Sequence, residues 1–235
     1  MASRQEEKEA RRRARLEAEA KEAKAAASRR RLQLVFGGVL GALIVGGVIV
    51  GVLAASGGNT DKNGPRTAVA SNIKLPTPQT ADLQTAVDAA GCSTASHPIE
   101  GRNHEDKVFT ESDYKTNPPT SGNHFPNWAQ DGIYDSNTEP QLGKLVHPLE
   151  HGRVEIQYKP GTPQPIIDKL EAFLAESDPS GYHELLFPNE TNMTPEIAAT
   201  AWGFSLDCPK YNDKIFDALR TFRDAHIDNG PETVP

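Results

Sequence analysis

The sequence predicts an α+β fold in which a single-pass transmembrane helix is followed by a compact extracytoplasmic α/β sandwich with a loop-rich first half. Three observations carry that expectation. An apolar run without a single charge fills residues 32–55, a basic arm precedes it, and the last third of the chain alternates period-2 and helical apolar patterns.

The arm, residues 1–31, holds eleven Lys/Arg against six Glu, a net +5. Its acids and bases recur three or four residues apart, which predicts a solvated helix whose basic groups rest near anionic lipid headgroups. The string "RRRAR" invites a nucleic-acid reading, but the interspersed glutamates and the adjacent apolar run argue against such a partner.

Residues 32–55, "LQLVFGGVLGALIVGGVIVGVLAA", are long enough as a helix to cross a hydrocarbon core of about 30 Å. A cleaved signal peptide would show an apolar stretch of only about 7–15 residues after a short basic region, so a signal-anchor is expected, with membrane lipid as its partner. The basic arm keeps the N-terminus in the cytoplasm and sends the C-terminal portion outside. Gly37-x-x-x-Gly41 and Gly47-x-x-x-Gly51 give the spacing of close helix pairs and suggest a homodimer, although glycine is common in membrane helices generally.

Residues 56–82 have the Gly, Asn, Pro and Thr content of a flexible linker, and the outer domain spans 83–235. After Ala55 the chain carries 14 Lys/Arg and 26 Asp/Glu, a net −12. Cys92 and Cys208 both fall on the outer side, where one disulfide is the expected state. Two buried thiols or a two-cysteine metal site are the alternatives.

Within the domain, residues 83–145 are dense in Pro, Gly, Asn and Asp and predict loops, with a short strand at 108–114 and turns over 118–135. The next stretch is regular. "GRVEIQYKP" places Val154, Ile156 and Tyr158 on one face against Arg153, Glu155 and Gln157 on the other, a half-buried strand. "TPQPIIDKLEAFLAES" follows with apolar residues at helical spacing, then "HELLFP" as a short strand and "EIAATAWGFSLDC" as another. "NDKIFDALRTFRDAHID" closes as an amphipathic helix. This order of elements suggests a split βαβ-type sandwich.

Chemistry concentrates in histidine. His147 and His151 stand four apart with Glu150 between them, a spacing that lets two imidazoles share a metal and spells HxxEH, the inverted zinc-peptidase string. Pro148 and Gly152 leave room for about one helical turn, with His147 near its N-cap, so a zinc-dependent hydrolase is the weaker alternative. A metal cup is the stronger reading. His124, at the tip of "PPTSGNHFPNW", is the expected third ligand, Glu150 an orienter or fourth ligand, and His104 in "EGRNHED" a further candidate. Imidazoles suit copper or zinc, and a cluster on the outer side, with the Met193 thioether as a soft addition, favours copper over iron. Ser121 as a nucleophile lacks the surrounding motif, and its Thr-Ser-Gly setting is an ordinary turn. A metal-free envelope scaffold or interaction module is the third reading.

Four blocks, "NPPTSGNHFPNWAQDGIYD", "LVHPLEHGRVEIQYKP", "ATAWGFSLDC" and "NGPETVP", resemble a bacterial family known as domain of unknown function 3105, frequent in actinobacteria as membrane-anchored proteins. The resemblance covers roughly residues 85–235. The family's PPTSG-x-H and H-x-LEHG patterns fall on Pro118–His124 and His147–Gly152, which implies that His124, His147, Glu150 and His151 work as one site. It implies no activity.

Overall fold

The computed structural model describes residues 64–67, 72–177 and 182–232. The basic arm and the apolar run 32–55 lie outside the described residues, and no helix among those described is long and apolar enough to cross a membrane.

The domain opens with helix α1, Leu83–Ala90, where the sequence predicts only loop. Asp82 starts it by accepting the Thr85 N–H at 2.8 Å, and Gly91, at φ 68°, ends it. One turn on, Cys92 is bonded to Cys208, 116 residues later, so the expected disulfide is present in the fold. Strand β1, Ser93–Ser96, follows as an exposed sheet edge. Over 108–114 the expected strand is absent. The carboxylate of Asp113 accepts the Thr110 N–H at 2.8 Å and closes a 3-10 turn, Glu111–Asp113, in its place.

The remaining elements are β2, Gly132–Ile133; α2, Leu142–Glu150; β3, Val154–Tyr158; α3, Gln164–Ser177; β4, Glu184–Pro188; β5, Ile197–Ala201; β6, Phe204–Cys208; and α4, Ile215–His226. Six strands make one mixed sheet in the order β1-β6-β5-β3-β4-β2. β3 and β4 are parallel immediate neighbours joined through α3, so the βαβ unit is not split. "EIAATAWGFSLDC" is two antiparallel strands rather than one, because Trp202–Gly203 makes a two-residue turn with Gly203 at φ 79°.

Residues assigned to the linker also touch the domain. Arg66 exchanges two backbone hydrogen bonds with Ile133, at 2.7 and 2.8 Å, and its guanidinium meets Glu171 at 2.7 Å.

One sheet face packs Val154, Ile156, Leu186, Ile197 and Leu206 against Phe173 of α3, Phe216 and Phe222 of α4 and Val87 of α1. Fully burying side chains of this size contributes about 1.5–3 kcal/mol each. The other face is covered as well, which the alternating pattern of β3 hides. Leu185 and Phe187 pack under Leu145 of α2. Beside them the polar side of β3 forms a closed network: the Gln157 amide donates to Thr200 Oγ1 at 3.0 Å and accepts from Asn189 at 2.7 Å. Glu155 is therefore buried, and loss of hydration holds its carboxyl well above the usual range.

Candidate metal centre

Helix α2 holds His147 to Glu150 of the HxxEH string, with His151 as its C-cap, and at nine residues it is longer than one turn and contains Pro148. A proline there supplies no N–H to the carbonyl of Lys144, four residues back. The N–H of Ala129 takes that carbonyl instead, at 2.8 Å, and the Phe125 N–H bonds to the Gly143 carbonyl at 3.1 Å. The loop after His124 thus lies along the helix and replaces the bond that proline removes. His147 accordingly sits in the last turn of the helix rather than at its start. Gly152, at φ 78°, stops the helix as expected: its N–H bonds to Leu149 O at 3.0 Å and the Arg153 N–H to Pro148 O at 3.1 Å, the paired bonds of a Schellman end.

The PPTSG stretch delivers His124. Gly122 adopts φ 132°, and a Cβ there would come within 2.8 Å of the Tyr114 ring, so glycine alone fits. His104 arrives by backbone pairing with the same loop: the His124 N–H bonds to Asn103 O at 3.0 Å and the Glu105 N–H to His124 O at 2.8 Å.

One ligand atom from each of His104, His124, His147 and Glu150 lies within 4.8 Å of all the others. Four donors about 2.0–2.1 Å from a tetrahedral ion lie about 3.3–3.4 Å apart, and a square-planar set has its opposite donors about 4.2 Å apart, so closing on a metal needs a contraction of about 0.6–1.5 Å at the widest pair. His104 is the partly exposed member, its side chain 44% exposed, whereas those of His124 and Glu150 are buried. The sequence-predicted ligand His151 stands beside this group rather than in it, its Nε2 at 3.1 Å from His147 Nε2.

Hydrogen bonding sets which ring nitrogens are free. His124 Nδ1 meets the Gly122 carbonyl at 2.8 Å and His147 Nδ1 the Phe125 carbonyl at 2.7 Å. A carbonyl only accepts, so each Nδ1 carries the proton and each Nε2 presents a lone pair. His124 Nε2 faces Glu150 Oε2 at 3.2 Å, and neither has a hydrogen-bond donor among the described residues. The other carboxylate oxygen, Oε1, accepts from Arg102 Nε at 2.9 Å. Two buried acceptors this close call for a cation between them, either a proton on His124 Nε2, which turns the contact into a charged hydrogen bond, or a metal ion.

Burial also keeps the rings neutral. Loss of hydration lowers His124, and lowers His147 and His151 to about 4, with neighbouring cationic groups adding to the effect. In an unfolded chain these rings take up protons near 6.5. They therefore favour folding fully above about 6.5, and that contribution is lost as pH falls towards about 4. Glu139 acts with opposite sign: burial and then Glu190 raise it to about 8, so its effect favours the folded chain as pH falls below that value. Imidazole NMR of the metal-free protein is expected to show His147 and His151 titrating near 4, and midpoints near 6.5 would show that the rings are hydrated.

Other sequence candidates have local partners. Ser121 is buried and its Oγ accepts the Glu100 N–H at 3.1 Å. His183 bonds Asp228 at 2.5 Å and His97 bonds Ser205 at 3.0 Å, both away from the group. Two residues that the sequence reading passed over stand at the rim: Arg102, and Glu232, whose Oε2 is 3.7 Å from His151 Nε2. Their only sequence signal is proximity to blocks already singled out, "EGRNHED" and "NGPETVP".

A family model described as protein of unknown function (DUF3105) matches residues 105–234. No curated protein and no solved structure matches the chain.

Proposed function

The chain belongs to the DUF3105 family, and we propose that its outer domain binds a transition metal ion, copper or zinc, through His104, His124, His147 and Glu150. The carrying observation is the buried contact of His124 Nε2 with Glu150 Oε2, which has no hydrogen bond, beside the imidazoles of His104 and His147. Three of the four ligands fall within the matched residues, and His104 falls just outside them. Backbone carbonyls fix both anchored rings by their Nδ1 protons, the arrangement that orients histidine towards a metal and strengthens it as a ligand. Both cysteines are spent in the disulfide, so nitrogen and oxygen donors remain, a set that suits zinc or copper(II).

In this reading residues 32–55 anchor the protein in the membrane, with the glycine spacings available for pairing, and the domain holds its ion on the outer side. It works there as a binding module that stores an ion or hands it on. A hydrolase reading of the same string is less well supported, because Glu150 is held by Arg102 and faces a ligand imidazole instead of an open position.

The test is metal content. Full-length protein loaded with Cu(II) or Zn(II) and passed through gel filtration is expected to retain metal. A His124→Ala/His147→Ala variant of unchanged circular dichroism is expected to bind at least about 100-fold more weakly. Equal retention by both proteins overturns the proposal and leaves a metal-free scaffold as the better reading.

A further inference from the structure

We infer that His151 and Glu232 form a second, outer metal position beside the four-ligand group, through which an ion passes on its way in or out. The inference rests on the metal-binding reading above and adds residues and a direction to it.

The closing segment of the domain is built to bring Glu232 to this place. The Asp228 N–H bonds to Gly152 O at 2.8 Å and the Glu232 N–H to Glu150 O at 3.1 Å, so the strap uses carbonyls that the end of α2 leaves free. Between them Gly230 lies so close to the helix end that a Cβ would meet Gly152 N at 2.2 Å and Glu150 O at 2.3 Å. Glycine is thus required for the strap to lie flat. The result is a carboxylate with one oxygen 3.7 Å from His151 Nε2 and the other 3.9 Å from the Arg102 guanidinium.

Charge at this point is out of balance in favour of a cation. Glu150 and Glu232 both stand at the negative end of the α2 dipole, where carboxylates are unfavourable. Arg102 alone bridges the two acids, and the nearby Arg153 is engaged by Asp131 at 3.2 Å. A divalent ion at His151 and Glu232 offsets the surplus.

Two contrasts give the direction of transfer. Glu232 is 45% exposed, while the His124 and Glu150 side chains are at most 1% exposed, so the pair spans from water to the buried members of the group, a second opening beside the 44% exposed His104. His151 Nδ1 has no hydrogen-bond partner among the described residues, unlike the anchored rings of His124 and His147. With no carbonyl on Nδ1, this ring can shift its proton from Nε2, where it bonds His147 Nε2, to Nδ1 and so offer Nε2 to an ion and take the proton back on release. With His147 Nε2 only 3.1 Å away, the two rings can hold one ion in succession.

Cu(II) is the probe, and the full-length chain is compared with Glu232→Gln, His151→Gln and His124→Ala/His147→Ala. Equilibrium dialysis is expected to find a tight and a weaker equivalent in wild type, and only the tight one in the two single variants. In those variants transfer of the tight ion to an external chelator is expected to slow by at least about tenfold. Glu232→Gln keeps the backbone bonds of the strap, so loss of the weaker equivalent there is not a folding effect. One equivalent in wild type, or variants that match it in both stoichiometry and transfer rate, overturns the outer position alone. Loss of all copper in His151→Gln overturns it too, by placing His151 in the inner set. No bound copper in wild type overturns this inference together with the reading beneath it.

Discussion

Protein carrying Glu150→Gln is expected to melt above wild type without metal and below it with metal. In the metal-free chain Glu150 Oε2 opposes the His124 Nε2 lone pair at 3.2 Å with no donor on either side. A glutamine amide in that position donates to the imidazole, and its oxygen still accepts from Arg102. Relief of a donorless buried contact and gain of one hydrogen bond are together worth about 1–3 kcal/mol. With metal the sign reverses, because the variant lacks an anionic ligand and its affinity is expected to fall at least about tenfold. Differential scanning calorimetry of both proteins, with and without Zn(II), reads the two effects. A variant destabilised in both forms would mean that Glu150 serves the fold through Arg102 and has no part in holding an ion.

Cys92→Ser/Cys208→Ser is expected to cost about 5 kcal/mol, the chain-entropy value for a bond closing a loop of this length. That figure rivals the whole stability of a domain, about 5–15 kcal/mol. Its effect centres on a weak place in the fold. β1 is a four-residue edge strand with all residues exposed, and α1 buries mainly Ala86, Val87 and Ala90, so besides the bond this segment is held by the short antiparallel pairing of β1 with β6 and a small apolar contact. Urea unfolding with and without reductant measures it. A change below about 1 kcal/mol would show that the segment docks by packing alone.

The regular half of the domain was legible because its signals are local. Val154, Ile156 and Tyr158 do lie on one face of β3, α3 and α4 follow their helical spacing, and Gly152 does end its helix. Helix α1 is short and its stripe, Leu83, Ala86, Val87 and Ala90 at helical spacing, is half alanine, a weak signal inside a stretch dense in turn formers. The burial of Glu155 and Gln157 was hidden for another reason. Alternating polar residues look solvated when their partners, Thr200 and Asn189, lie more than thirty residues away.

In the candidate site, residue types were readable and grouping was not. The spacing of His147 and His151 made them equal ligands on paper. His104 reaches Glu150 because its loop pairs with that of His124, some twenty residues on, and HxxxH spacing carries no trace of such a pairing. The same holds for α2: a proline halts a helix on local rules, yet here the missing bond is supplied from Ala129.

That substituted bond governs how the region opens. In an ordinary helix the turns near an end fray singly, each losing its own hydrogen bond at small free energy. Around Pro148 the helix and the 125–129 loop share Lys144 O and Gly143 O, and Trp128 of that loop packs on both His147 and His151, with ring centroids 5.4 and 4.9 Å away. Unwinding α2 must therefore strip the loop at the same moment and carry His124 with it. The three rings form one cooperative opening unit, so excursions that expose a single histidine to water are rare, and those that occur release the whole cluster together.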